Sequence, residues 1–491
     1  MKKLLALFLA VLMLLPILGC TRDPAPEGTV AAPATTEPQA TQVTVGFGKA
    51  DITATWPIGL QGYGNASTRI SQGIKTYIYL MCVAVTDVDG ETVLIMTIDS
   101  GGGFPNAVLP VIEEEFGIPR DHVIVSAVHQ HSTPSGTREY LDMVEEGTRI
   151  AVQQALDDRA PATMLLNTVE TTAMSFVRHY IANDGKGSIV GDNYNDAIGS
   201  QYGYIGHESE SDKEMRLIKF ERGEDKKPII VVNFQAHPHL GAGSSDTNIH
   251  ADWPGIMRET LEDELDCHAM YISGAGGNLN SGSRIDEENV SADWKDHGKR
   301  AANYVIKAEG SYTEANLGNI QAIFQTNTYD NDHSMDHLYE DALYLHNLRA
   351  EDFNKAKAEV AKYPDIHSIY HATAIVEKKE AGPTRDMTIG VISIGDVVFT
   401  CHPYEMFDTN GMELRAGTVG NENYAEEDQL ENPFAMTVIC TLGNGSTCYV
   451  PSRLGYTNGG YSTDITYFAP GSGEVMVGDY LHLINQLYNG Q

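Results

Sequence analysis

Apolar and polar positions fall into blocks along the chain, and the period of each block predicts an element. Near-continuous apolar runs over residues 78–86 and 93–99 read as buried strands, joined as a hairpin by the turn Asp87-Val88-Asp89-Gly90. Residues 106–116 carry helical spacing despite Pro110, residues 122–126 form another short apolar strand, and residues 140–156 make an amphipathic helix. Farther on, residues 229–234 predict a strand and residues 254–265 a helix, with Asp252 as its N-cap and Pro254 in its first turn. A long, charged, exposed helix is predicted over residues 339–363, and strands return over residues 387–400, joined at Gly395-Asp396. Strands interleaved with helices, without an internal repeat, predict an α/β fold: mixed β-sheets flanked by helices in a single large domain of catalytic type.

Ahead of that domain the pattern changes. Lys2 and Lys3 precede an uncharged apolar run over residues 4–18, which is short for a membrane span and has the length of a signal h-region. The run ends in Ile17-Leu18-Gly19-Cys20, which resembles the bacterial lipoprotein cleavage box, where the cysteine is diacylated and becomes the new N-terminus. Two acyl chains on one residue suffice for stable anchoring. Residues 21–42 are rich in Pro, Ala, Thr and Gln and predict a disordered stalk. The expected division is a signal over residues 1–20 ending at lipidated Cys20, a stalk over 21–42 and a catalytic domain over 43–491. The protein is then expected on the extracytoplasmic face of a bacterial cell membrane, touching it only through the lipid.

Charge narrows the partners. Thirty-three basic against 67 acidic side chains leave a formal charge of −34, which argues against a nucleic-acid partner and against electrostatic docking on anionic lipid. An acidic body stands off the membrane that holds it and favours soluble or extractable substrates. Apart from Cys20, the cysteines are Cys82, Cys267, Cys401, Cys440 and Cys448. An odd count without a C-x-x-C spacing argues against a disulfide framework. Cys448, beside Tyr449, reads as a buried structural thiol rather than a nucleophile.

The candidate chemistry starts where the strand over residues 122–126 runs out, at Val128-His129-Gln130-His131-Ser132-Thr133-Pro134. In extended chain, residues i and i+2 face the same side, and imidazole is the commonest zinc ligand. Such a pair is by itself also common in polar loops. A second strand-then-histidine pattern, Phe234-Gln235-Ala236-His237-Pro238-His239, favours a zinc-type site, while His250 and Asp252 are accounted for by the start of the next helix. Asp99, closing its strand before Gly101-Gly102-Gly103, either orients a histidine or serves the turn. His333, His337 and His346 read as a solvated face without a third ligand.

At these residues the sequence resembles the neutral (non-lysosomal) ceramidase family, whose zinc site opens with a T-H-T-H-S-x-P motif. Gly46-Phe47-Gly48-Lys49-Ala50-Asp51-Ile52-Thr53 and Gly62-Tyr63-Gly64 resemble its opening segment, and Phe234-Gln235-Ala236-His237 its second histidine segment. Gly274-Ala275-Gly276-Gly277-Asn278-Leu279-Asn280 sits where the family has a glycine-rich G-x-x-G-D stretch. Pro403-Tyr404-Glu405 with Gly411-Met412-Glu413-Leu414-Arg415 resembles its glutamate segment, and Asn444, Tyr449, Tyr456 and Tyr461 its tyrosine spacing.

The resemblance implies that His129, His237, Glu405 and Tyr449 hold one zinc ion (Zn2+). It further implies that His131 transfers protons, that Tyr461 polarises the scissile carbonyl, that Asn280 stands at a catalytic position and that Arg178 contacts substrate. Asn280 and Asn278 replace the family's serine and aspartate, which points away from ceramide itself. The chain is also expected to lack the family's C-terminal immunoglobulin-like domain. The implied activity is zinc-dependent hydrolysis of an N-acyl amide in a small or lipid-like acylated substrate. A metal-dependent esterase or deacylase acting on a cell-envelope glycan or lipid, and a non-catalytic binding lipoprotein retaining the fold, stay open as alternatives.

Overall fold

The computed structural model describes residues 42–63, 66–190, 201–285, 287, 290–417 and 430–490. The expected signal, Cys20 and the stalk up to residue 41 lie outside the described residues. The described residues belong to one compact unit, Ala40–Gln491, and no helix among them is long and apolar enough to cross a membrane.

Three sheets carry the domain. The first orders Val123–Ala127, Thr92–Ile98, Tyr79–Thr86, Thr44–Asp51 and Ala160–Pro161; the second orders His268–Ser273, Ile229–Phe234, Glu214–Glu221, Thr163–Glu170 and Thr313–Ala315. The third orders Ile320–Asp330, Thr384–Ile394, Val397–His402 and Met436–Thr441. Each sheet is antiparallel except for one parallel pair at an edge: Thr92–Ile98 with Val123–Ala127, Ile229–Phe234 with His268–Ser273, and Val397–His402 with Met436–Thr441. Parallel strands need burial on both faces, which explains why these runs are almost uninterrupted in Val, Ile and Met. Their side chains meet in one shared core, with Ile95 and Ile124 from the first sheet, Val231 and Ile272 from the second, and Phe399 and Val438 from the third.

Polar side chains stitch the sheets together where ladders cannot. Asn444, at φ 51°, accepts from the Val125 amide at 2.8 Å and donates to the Val123 carbonyl at 2.7 Å. Thr441 donates to Gly274 O at 2.6 Å, and Asn233 donates to Ile439 O at 2.9 Å. The parallel strands of all three sheets are thereby held side by side, with their C-terminal ends opening toward one place.

The glycines of Gly46-Phe47-Gly48 have a packing role. The helix Arg138–Asp157 lies so close on the strand Thr44–Asp51 that a Cβ at Gly48 would stand 1.9 Å from the Ala151 carbonyl oxygen. Gly48→Ala is expected to cost about 3 kcal/mol through this overpacking, read as a lower urea midpoint; a change below about 0.5 kcal/mol would show that helix and strand part freely.

Local departures from the sequence pattern have identifiable causes. The 106–116 segment is helical as expected, but Pro105–Val111 passes into a wider π turn over Ile112–Phe116. The helix expected over 339–363 breaks at Asp352, which turns extended and caps the next helix by accepting from the Lys355 amide. Nor is its first half merely a solvated face, because Ala342, Leu345 and Leu348 are buried. Asp252 is no N-cap. It sits at φ 50° with its carboxylate accepting from the Gly241 amide at 2.7 Å and from the Trp253 amide at 2.8 Å.

Residues 331–383 form a helical excursion from the hairpin of Ile320–Asp330 and Thr384–Ile394, containing Tyr339–Glu351, Phe353–Glu359 and Ile369–Ala381. Ala342, Leu345, Ile366, Ala372, Ile375 and Val376 give this cap a small core of its own.

Candidate active site and metal centre

The open ends of the parallel strands supply the site. His129 follows Val123–Ala127, His237 follows Ile229–Phe234, Glu405 follows Val397–His402 and Tyr449 follows Met436–Thr441. Glu405 and Tyr449 sit opposite each other in a short parallel pair, Glu405–Met406 with Tyr449–Val450. The His129 and His237 Nε2 atoms lie 3.2 and 3.1 Å from Glu405 Oε2. His131 Nε2 stands 3.3 Å from His129 Nε2.

The two histidines of the first cluster meet for a reason other than strand alternation. His129 adopts φ 66°, a left-handed conformation rare for a residue with a Cβ. Its amide donates to Ser100 O at 3.0 Å, which holds it there. Gly62 then packs against His131 so tightly that a Cβ there would stand 2.4 Å from the His131 Cβ, at a φ of +105° that only glycine adopts readily. Strain held at a cluster of polar side chains marks a functional position.

Hydrogen bonding fixes what the imidazoles present to the centre. His129 Nδ1 faces the Gly101 carbonyl at 3.0 Å, and His237 Nδ1 faces those of Gly276 and Leu279 at 2.9 and 2.8 Å. A carbonyl only accepts, so both Nδ1 atoms carry a proton, and each imidazole in its neutral form turns its Nε2 lone pair toward the Glu405 carboxylate. Two acceptors at about 3 Å repel unless a cation lies between them. Among the described residues His237 Nε2 and Glu405 Oε2 are buried without a hydrogen-bond partner, and a space of about 10 Å³ lies between His129, His237, Glu405 and Thr441, room for one water- or ion-sized guest. The donor set therefore fits a metal ion. His129, His131 and His237 place one ligand atom each within 4.8 Å of one another.

Electrostatics follow the same logic. Burial, then the imidazoles of His129, His239 and His237, keep His131 far below the ordinary histidine range and therefore neutral.

A cavity of about 400 Å³ opens over the cluster, bounded by His129, His131, Glu405, Tyr449 and Tyr461 on one side and by the cap on the other. The ring of Tyr461 meets Tyr449 edge-on at 6.2 Å and Tyr370 of the cap at 6.3 Å. Arg178 lies behind Tyr449, its guanidinium 5.4 Å from the centre of that ring, donating to Gly277 O at 2.8 Å and Ser462 Oγ at 2.7 Å. Asn280 follows the glycine-rich stretch, with its Oδ1 3.2 Å from His239 Nε2.

Other residues take different roles from those expected. Asp99 touches no histidine; it is fully buried in a two-pronged pair with Arg258, at 2.8 and 2.6 Å. Backbone carbonyls, which leave no trace in side-chain spacing, orient the histidines instead. The five cysteines of the domain are buried and unbridged, and burial pushes the Cys448 thiol up to about 12, leaving it unreactive. His333 and His337 bond locally, to Asp336 and Ser334 O, and His346 bonds Thr373 on another cap helix, so each has a separate partner. His239 shares the cluster at 5.3 Å from the His237 ring, and only its spacing in His237-Pro238-His239 hinted at this. The cap residues Arg349, Thr373 and Glu377 had no sequence signal at all.

Strand ends from three sheets thus converge on imidazoles and a carboxylate beneath an open cavity. Two solved structures share the fold. A neutral ceramidase from Pseudomonas aeruginosa superposes with a TM-score of 0.68 at 16% identity, covering 91% of this chain and 75% of that one. A ceramidase complexed with C2 gives 0.67 at 16% identity, with the same coverage. Residues 43–330 match the family described as neutral/alkaline non-lysosomal ceramidase, N-terminal, and the chain belongs to that family.

Proposed function

We propose that the protein is a zinc-dependent amidohydrolase that cleaves an N-acyl amide in a small or lipid-like acylated substrate. The observation that carries this reading is the pair of imidazole lone pairs aimed at a buried, unpartnered carboxylate oxygen. His129, His237, Glu405 and Tyr449 would hold the ion. Zinc bound there supplies Lewis-acid activation of water and of the scissile carbonyl. Neutral His131, on the cavity wall, takes the proton from the attacking water and returns it to the leaving amine. The Tyr461 hydroxyl donates to the oxygen on which negative charge develops. Tyr370, Tyr461 and Tyr467 make the cavity rim aromatic, with Arg349 and Glu377 beside them, a rim suited to an acyl chain joined to a polar group. Asn280 in place of the family's serine supports a substrate other than ceramide. Through diacylated Cys20 the enzyme would be held at the extracytoplasmic membrane face; Cys20→Ser should then move it from the membrane to the soluble fraction of cells, and retention in the membrane would remove the anchor from the proposal.

A panel of N-acyl substrates, assayed before and after chelation and with zinc added back, tests the activity. Hydrolysis that stops on chelation and returns with zinc is expected, and turnover surviving complete metal removal would defeat the proposal. Tyr461→Phe is expected to lower kcat about 10²–10³-fold with bound metal unchanged; an unaltered kcat would leave the oxyanion to another donor.

A further inference from the structure

The wall that the cap presents to the cavity carries one basic side chain. Among the described residues Arg349 is the only lysine or arginine lining the cavity, and it lies in the last turn of Tyr339–Glu351. Its guanidinium stacks 5.0 Å from the centre of the Tyr370 ring and donates to Thr373 Oγ1 at 2.8 Å. Thr373 gives its own proton to Ile369 O at 3.0 Å, so it offers Arg349 lone pairs and no charge. Glu377, in the same wall, accepts from the Tyr467 hydroxyl instead. Among the described residues Arg349 makes no ion pair, and a ring stack with one neutral acceptor leaves most of its five N–H donors for a ligand. In a chain of formal charge −34, whose general field repels anions, that charge is a local reversal of sign.

We infer that Arg349 binds a carboxylate on the substrate, which is then an N-acylated amino acid; the inference rests on the amide hydrolysis proposed above. The guanidinium fork matches the two oxygens of a carboxylate. Tyr370 and Thr373 hold the fork in place beforehand, so little rotamer freedom is lost when the ligand arrives. One guanidinium, without a lysine or second arginine in the wall, balances one negative charge, which favours a carboxylate over a doubly charged phosphate. The acyl chain of such an amide is apolar, so the carboxylate belongs to the amine half. Arg349, Tyr370, Tyr461 and Tyr449 form a continuous run in which each group lies within 6.3 Å of the next ring. An amine half several atoms long spans that run, from the scissile carbonyl at Tyr461 to the guanidinium.

Calorimetry with uncleavable analogues reads this site without turnover. Octylsulfonyl derivatives of glycine, γ-aminobutyrate and ε-aminocaproate, in which a sulfonyl group replaces the scissile carbonyl, are compared with their carboxamides and with phosphonates of the same length. The best carboxylate is expected to bind the wild type about 10–100-fold more tightly than its carboxamide, and Arg349→Gln to bring that ratio to about one. Arg349→Lys, which keeps the charge without the fork, should retain part of the preference. A ratio near one in the wild type overturns the assignment. So does a ratio that survives in Arg349→Gln, which would put the carboxylate on a metal instead, and so does a phosphonate bound more tightly than every carboxylate. The matching octanoyl amides are then assayed for hydrolysis. Affinity that depends on Arg349 but comes without turnover supports the carboxylate site and defeats the hydrolase reading. Turnover without a carboxylate preference overturns the site and leaves that reading intact.

Discussion

The His129→Ala/His237→Ala variant is expected to fold, to hold no ion beside Glu405 and to lose hydrolysis by at least about 10⁴-fold. Each imidazole brings its lone pair from a different sheet, His129 beyond Val123–Ala127 and His237 beyond Ile229–Phe234. Neither can substitute for the other, because each is oriented by its own carbonyl, Gly101 or Gly276 and Leu279. Removing both leaves Glu405 and Tyr449, too few donors for tight retention of zinc. Alanine at position 129 keeps the left-handed backbone that histidine already adopts there, so the substitution adds little backbone strain. Circular dichroism checks the fold and elemental analysis the metal. Zinc persisting beside Glu405 in the double variant would falsify the assignment.

The second large effect concerns stability. Arg258→Met is expected to cost about 3–5 kcal/mol, because it strands the Asp99 carboxylate in the core. Asp99 is completely buried and Arg258 is 2% exposed; two charge-assisted bonds join them, and Asp99 Oδ2 also accepts from the Tyr79 amide at 2.9 Å. Removing both charges together should be milder than removing either, since the cost lies in the unpaired charge rather than in the pair's net worth. Urea midpoints of Arg258→Met, Asp99→Ala and the double variant close this cycle. A single variant within about 1 kcal/mol of wild type would mean that water reaches the pair.

Much of the site's position was legible because parallel strands are apolar on both faces and their ends are abrupt. His129, His131 and His237 stand directly after such runs, so strand-then-histidine located them. Glu405 and Tyr449 follow runs of the same kind, but they pair in strands of two residues, too short to have a period; family resemblance alone singled them out. The left-handed turn at His129 was hidden because backbone conformation at one residue leaves no composition. The joining of the sheets was hidden for another reason: Val125 meets Asn444 across 319 residues of chain, and no local pattern reports a partner that distant. The cap was misread where a short-range preference won, Asp352 choosing to start a new helix over continuing the old one.

The cap leaves the hairpin at Asp330 and returns at Thr384, and these two residues face each other on one rung of the ladder. An insertion whose ends are already adjacent is a cassette: exchanging it disturbs no strand order and no connection beneath. The histidines and the glutamate belong to the sheets, whereas Arg349, Tyr370, Thr373 and Glu377 belong to the cassette. Under the proposed function, chemistry and much of substrate choice would therefore be separately heritable, and a new cap wall could be grafted by replacing one continuous stretch of gene.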